Sequence, residues 1–384
     1  MNLENEINSF HRRINYKLVQ QPIMSLENHL IKVSRNFANR RTMLKVRAFH
    51  YTILSAKRSD FNSPLLTKSK PIWEETDQKS FYYEQELKDF ALHCLYLTNT
   101  PLGECIVQRC SKKGVQVVQL QSLTVEQLTY SEQEYLAAYI RNSHKDDQVT
   151  FGADLELMLR NNKTFKFMNG HLLKNMQFGY DDAIAIHKNR VAHPIFEIRP
   201  KPASKIEDLH NHLMILFQKF KRQTQIFDLQ IITDPNPFGR FFLGGHIHFG
   251  NTPFTFQHVR LLDQYVAIPY ALADKNPSFE RRTSYGMLGA VRKNQYNGFE
   301  YRVLPTWFHI IPSCLPLLLW IEYLITNAHH IETLELNRAS VTSYYNKDHQ
   351  NYQLDQWEKD NKKKFAEKKG ERLFEPFVSY LKKL

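Results

Sequence analysis

Residues 244–250 read Gly244-Gly245-His246-Ile247-His248-Phe249-Gly250, two histidines at spacing two in a short apolar segment fenced by glycines. In an extended strand, positions i and i+2 project from one face, so His246 and His248 point into one space while Ile247 and Phe249 point away. A lone histidine in an apolar run is ordinarily part of a core. A same-face pair beside glycines, which let a backbone or ligand come close, suits a metal ion or a phosphate better.

Outward from this pair, three more segments carry charge where a buried strand carries apolar residues. Asp154-Leu155-Glu156 sets two carboxylates on one face and Ala153, Leu155 and Leu157 on the other. Phe196-Glu197-Ile198-Arg199-Pro200 and Phe299-Glu300-Tyr301-Arg302-Val303 repeat the alternation with a carboxylate and a guanidinium. Each alone reads as a surface strand with its charged face in water. If all four line one sheet face, they gather Asp154, Glu156, Glu197, His246, His248 and Glu300. Clustered carboxylates stay ionised only when cations offset their repulsion, which implies a divalent metal, and oxygen-dominated ligation favours Mg²⁺ or Mn²⁺ over Zn²⁺. Arg199, Arg281, Arg282 and Arg302 then supply the positive charge that a phosphoryl group needs. The set suits a nucleoside triphosphate held without a Walker motif.

The rest of the chain divides around this segment. Residues 1–80 read as a basic helical appendage and linker, with helical spacing over 12–58 and a polar stretch over 59–79. Residues 81–147 read as a small α/β accessory region: a helix over 81–97, a strand pair at 105–108 and 115–120, and a helix over 125–141. Residues 148–330 hold the chemistry. Strands are expected at 150–159, 165–168, 191–198, 228–233, 241–249 and 298–304, with helices at 206–220 and 256–274, the second bent at Pro269. Residues 331–384 form a charged helical tail. Strands and helices without regular βαβ spacing predict an α+β fold with a mixed or antiparallel sheet.

A 384-residue chain with 42% hydrophobic residues can build a substantial core. The longest apolar run, 310–325, is broken by Pro312 and Pro316 and carries Glu322, so it reads as a buried helix and no transmembrane segment is expected. The first ten residues lack an apolar signal core, which makes the cytoplasm the expected location. Cys94, Cys105, Cys110 and Cys314 form no CxxC pair and predict reduced, buried thiols. The net charge of +12 lies largely in the first sixty residues and the last twenty-five, as a solvated face or a surface for an anionic partner such as nucleic acid, a cell-wall polymer or a membrane.

Six motifs occur in the order and spacing of the carboxylate-amine ligases (amidoligases) of phages and bacteria, which this chain resembles over about residues 149–307. They are Gly152-Ala153-Asp154-Leu155-Glu156, Gly179-Tyr180-Asp181, Phe196-Glu197-Ile198-Arg199-Pro200, Gly244-Gly245-His246-Ile247-His248, Arg281-Arg282 with Tyr285-Gly286, and Glu300-Tyr301-Arg302 with Pro305. The resemblance implies a catalytic domain of the glutamine synthetase and glutamate-cysteine ligase type. It implies that Asp154 and Glu156 each serve one of two metal ions, that Glu197, His246 and Glu300 are further ligands, and that His248 lies towards the nucleotide. Gly244 and Gly245 would lie against the carboxylate substrate. Arg302 would bind phosphate, as Arg199 would on the charge argument above, and Arg281 and Arg282 phosphate or acyl phosphate. Where relatives follow the Tyr-Asp pair with Gly, this chain has Asp182.

The implied reaction is ATP-dependent amide formation through an acyl phosphate, with Mg²⁺ or Mn²⁺. Its substrates would be a carboxylate and an amine, such as an amino acid, a peptide or a cell-wall peptide. Asp181 or Asp182 could serve the amine as a base or acidic pocket, or simply shape a turn. A metal-dependent hydrolase is the rival reading of the histidine pair, but one acting on neutral substrates has little use for four arginines. A nucleic-acid binder or a scaffold with a degenerate ligase fold is the other, although no nucleic-acid reader motif accompanies the basic ends.

Overall fold

The computed structural model describes residues 3–14, 43–59, 73–76, 82–109, 114–143, 148–170, 178–187, 190–275, 277–332, 336, 338–346, 352–366 and 368–384. The chain forms two compact units. One comprises 1–145 with 254–258 and 329–335, and the other 146–253, 259–328 and 336–384.

The first unit opens with α1 (Leu3–Arg13), whose acidic first turn and basic last turn complement the helix dipole. Strands β1 (Met43–Phe49), β2 (Thr52–Ser59) and β3 (Glu74–Glu75) follow, then α2 (Tyr82–Leu97), β4 (Leu102–Arg109), β5 (Val115–Ser122) and α3 (Tyr130–Asn142). The five strands make an antiparallel sheet in the order β3-β2-β1-β4-β5. The helical reading of 12–58 is therefore corrected over 43–58, while 15–42 lies outside the described residues. The cause is visible in β1, where buried Leu44, Val46 and Ala48 alternate with half-buried Lys45 and Arg47 at period two. The expected helix at 125–141 is divided. Leu128 is extended, and Thr129 then caps α3 with its hydroxyl on the Glu132 N–H while Glu132 accepts the Thr129 N–H.

The second unit contains β6 (Thr150–Asn161), β7 (Phe178–Tyr180), β8 (Ala185–His187), β9 (Arg190–Ala192), β10 (Ile195–Ile198), α4 (Ile206–Ile226), β11 (Leu229–Ile232) and β12 (Gly245–Gly250). From α5 (Phe256–Leu262), whose first residues belong to the first unit, a π-helical turn leads to α6 (Ile268–Ala273). Next come α7 (Phe279–Ser284), β13 (Val291–Lys293), β14 (Phe299–Tyr301), α8 (Leu315–Thr326), α9 (Arg338–Tyr345), α10 (Leu354–Lys362) and α11 (Lys368–Leu381). Pro269, where a bend is expected, stands in the first turn of α6 directly after that π turn.

Among the described residues seven strands form the main sheet, in the order β13-β14-β12-β6-β10-β7 with β11 also on β6, and every pairing among them is antiparallel. The fold is α+β, with helices at both ends of the described chain. Phe151, Ala153, Leu155, Leu157 and Leu159 of β6 are buried on one face. Helix α4 buries Leu209, Leu213, Leu216 and Phe220 at helical spacing, and Phe220 meets Phe178 of β7 at 5.4 Å between ring centroids. The strand expected at 165–168 is only an isolated bridge from Phe167 to Arg160. Asn161 Oδ1 accepts the N–H groups of Lys163 and Thr164 and turns the chain there, leaving Phe165 and Phe167 exposed.

Candidate active site

Register places the site. Residues directly opposite in an antiparallel pair share a face. Asp154 of β6 faces His246 of β12, His248 faces Glu300 of β14, and Glu300 faces Arg292 of β13. On the other side of β6, Glu156 faces Glu197 of β10, which faces Gly179 of β7. Asp154 and Glu156 are i, i+2, so Asp154, Glu156, Glu197, His246, His248 and Glu300 lie on one sheet face, opposite the apolar face that meets α4. The adjacent row, Leu155–Ile198–Phe178, is buried.

The carboxylates on this face divide into two groups that share strand β6. Ligand atoms of Asp154, His248 and Glu300 lie within 4.8 Å of one another, as do those of Glu156, Asp181 and Glu197. Between the groups sits His246, 2% exposed, with Nδ1 2.9 Å from Asp154 Oδ1 and 3.2 Å from Glu300 Oε1, and Nε2 3.9 Å from Glu156 Oε1. His248 Nε2 is 3.4 Å from Asp154 Oδ2. By proximity His248 groups with Asp154 and Glu300, while His246, the expected ligand, touches carboxylates of both groups.

The electrostatics follow from burial and proximity. Burial opposes charge on Asp154, but His246 and then His248 outweigh it and hold that carboxyl well below the usual range. Burial raises Glu156, against His246 and the Gly244 N–H, which donates to Glu156 Oε2 at 2.6 Å. Burial disfavours the His246 cation, yet Asp154 and Glu156 prevail and raise it. Two buried oxygens, Asp154 Oδ1 and Glu300 Oε1, accept no hydrogen bond of proper geometry. Orphaned anionic oxygens in the Asp154–His248–Glu300 group, beside a second carboxylate cluster, are a donor set that fits hard divalent cations.

The arginines part company. Arg302 Nε lies 3.3 Å from Glu300 Oε1, and its Nη2 donates to the Tyr285 hydroxyl, which is 3.5 Å from His246 Nε2. Arg199 pairs with Glu197 over Gly179, half of its side chain exposed. Arg281 and Arg282, expected at the phosphate, are corrected. Arg281 spends its guanidinium on the backbone carbonyls of Leu243, Arg302, Val303 and Leu304, and Arg282 donates to the carbonyls of Tyr344 and Ala271 and to Asp274. A buried guanidinium satisfied in this way has no fork left for a phosphate.

Both glycines before His246 are explained by packing. A Cβ on Gly244 would overlap the His246 ring, and one on Gly245 would overlap Trp307, whose Nε1 donates to the Gly245 carbonyl at 3.1 Å. Asp181 is in the second carboxylate group, and its Oδ1 also accepts the Ala183 N–H at 2.7 Å. Two site residues had no role in the sequence reading. Arg292 carried a signal, as a charge three residues into an Ala-Val-Arg run, and bonds Glu300 at 2.7 Å. Tyr285 carried none beyond its place in a motif. Burial, then Glu156, pushes its phenol up to about 12.

Several basic residues near the chain ends meet carboxylates. Arg47 pairs with Glu104 and Glu132, Arg58 with Glu84, Lys57 with Glu75, and Lys382 with Asp355 and Glu358. Among the described residues, no helix is long and apolar enough to cross a membrane.

The family model described as phage phiEco32-like COOH.NH2 ligase-type 2 matches residues 151–381. No curated protein matches the chain. Among solved structures, similarity is found to a bifunctional glutathione synthetase from Pasteurella multocida, with 11% identity, 62% of this chain and 48% of that one covered, and a TM-score of 0.36. It is also found to the Plasmodium falciparum glutamine synthetase, with 13% identity, coverage of 58% and 61%, and a TM-score of 0.29. A glutamine synthase homologue aligns with 11% identity, coverage of 64% and 74%, and a TM-score of 0.29. The chain thus spans about half the length of the first of these proteins and under two thirds of the second.

Proposed function

From the premise that this chain belongs to the phage phiEco32-like COOH.NH2 ligase-type 2 family, we propose that it joins a carboxylate to an amine at the expense of ATP. The observation that carries the reading is the pair of ligand groups, Asp154–His248–Glu300 and Glu156–Asp181–Glu197, each anchored on one of two neighbouring same-face positions of β6, with Arg302 beside Glu300.

In this reading those two groups hold two divalent cations, Mg²⁺ or Mn²⁺. When bound, such ions neutralise the charge of the phosphate chain during transfer. His246 keeps Asp154 ionised and holds Asp154 and Glu300 in place. Arg302, oriented by Glu300 and Tyr285, presents its remaining donors to the transferred phosphoryl group, and Arg199 supplies a second, exposed guanidinium. A carboxylate oxygen of the substrate attacks the γ-phosphorus and the bond to ADP breaks. The amine nitrogen then attacks the acyl carbon, inorganic phosphate leaves, and the nitrogen sheds a proton. The substrates are proposed as amino acids or peptides.

ADP release should be followed with ATP, Mg²⁺ and a set of amino-acid and peptide carboxylates, with hydroxylamine as the amine to trap acyl phosphate as a hydroxamate. Release that requires the carboxylate and yields hydroxamate supports the ligase. ATP consumption indifferent to carboxylate, or none with any pair, would overturn it.

A further inference from the structure

We infer that Arg281 is a positioning residue of this site, acting through Arg302 and Tyr285; the inference rests on the ligase reading. Arg281 is 1% exposed. Its Nε donates to Leu243 O at 2.9 Å, Nη1 to Val303 O at 2.8 Å, and Nη2 to Arg302 O at 3.2 Å and Leu304 O at 2.7 Å. Leu243 leads into β12, which carries His246 and His248. Residues 302–304 leave β14, which carries Glu300.

The two segments have few other ties. Strand pairing between β12 and β14 ends with Ile247 opposite Tyr301. Beyond it come the Gly245 N–H on Leu304 O at 3.2 Å, the Thr306 N–H on Leu243 O at 3.2 Å, Trp307 Nε1 on Gly245 O at 3.1 Å and the Gly244–Pro305 bridge. Arg281 therefore closes the seam where His246 and Arg302 are delivered. Its own carbonyl accepts the N–H groups of Tyr285 and Gly286, each at 2.8 Å, so the same residue sets the turn that aims the Tyr285 hydroxyl at Arg302 and His246. At Gly286 a Cβ would overlap Arg281 Nη1, which explains a glycine with ordinary backbone angles at that position. Only a planar fork with five N–H groups can serve four carbonyls from one buried point; a lysine ammonium has three donors and no fixed plane.

The test compares the full-length wild type with Arg281→Lys, Arg302→Lys and the double variant. In the ligand-free protein, the Arg302 Nε resonance should be sharp and shifted by Glu300 and Tyr285, and should collapse towards the solvent-exposed position in Arg281→Lys. Binding of a non-hydrolysable ATP analogue with Mg²⁺, measured by calorimetry, should weaken about tenfold in each single variant and no further in the double one, because residues acting as a unit are not additive. An unchanged Arg302 resonance, or losses that multiply in the double variant, would sink the proposal and leave Arg281 a general stabiliser. Absence of analogue binding by the wild type would instead count against the ligase reading, while the Arg302 resonance still decides the role of Arg281. Should Arg281→Lys fail to fold, Gly286→Ala crowds Nη1 with the guanidinium retained, and must shift the same resonance.

Discussion

Asp154 and His246 face each other across β6 and β12 with Oδ1 and Nδ1 2.9 Å apart, and each holds the other in its charged form. His248 makes the lesser contact, at 3.4 Å and with a quarter of its side chain exposed. The two histidines should therefore differ in the ligand-free protein. His246→Ala leaves half-buried Asp154 and buried Glu300 without their shared cation and should cost about 3 kcal/mol, whereas His248→Ala should cost under about 1 kcal/mol. Urea unfolding measures both. Equal losses would contradict the arrangement, and added Mg²⁺ should recover part of the larger one.

The two carboxylate groups should titrate separately with Mn²⁺. Asp154→Asn should abolish one bound ion and Glu156→Gln the other, each seen by electron paramagnetic resonance as a fall from two ions to one. With Mg²⁺ and ATP, either change should lower turnover at least about 100-fold, the scale of losing a principal electrostatic stabiliser. Retention of both ions in either variant would disprove the grouping.

Tyr285 stays protonated through neutral pH because burial pushes its phenol up to about 12. Its hydroxyl serves as a neutral link between Arg302 and His246. Tyr285→Phe should lower kcat about tenfold, a loss of one hydrogen-bonded orienting contact. The alkaline side of the pH–rate profile should not shift between pH 7 and 10. A limb in that window that vanishes in Tyr285→Phe would show a phenolate at work.

Stability should fall on acidification. Burial lowers His11 and His258 to about 4, so both rings are neutral in the first unit. The unfolded chain binds their protons from about pH 6.5 downward and the folded one only near pH 4, so stability is full above about 6.5 and is lost as pH falls to 4. Each ring contributes up to about 3 kcal/mol to that loss. Urea midpoints at pH 7.5 and 5 check the slope, and His258→Gln should flatten it. A midpoint independent of pH across this window would refute it.

Gly245→Ala should destabilise by about 2 kcal/mol, since a methyl there drives into the buried Trp307 indole. Near-native thermal stability in that variant would show that Trp307 can yield.

Much of the site was legible because strands have a period of two. The alternation in Asp154-Leu155-Glu156, Phe196-Glu197-Ile198 and Phe299-Glu300-Tyr301 marks one charged and one apolar face for each segment, and hydrogen-bonded register then puts the charged faces side by side. The alternation in β1 is equally present but lies within a longer stretch of mixed spacing that also fits a helical period. The turn at Asn161 was hidden because its decisive partners, side-chain oxygen to main-chain N–H, leave the hydrophobic pattern of Phe165 and Phe167 intact.

Composition and periodicity by themselves determined which residues share a face: the carboxylates, both histidines and the Glu-x-Arg strand. The guanidiniums were decided only by the tertiary structure. Arg281 and Arg302 are the same side chain in adjacent motifs, yet one is exhausted on carbonyls reaching back 38 residues to Leu243 and the other stands beside Glu300 with donors to spare. A long, flexible cation takes its role from whichever acceptors the folded backbone brings within reach, and no spacing along the chain records that choice.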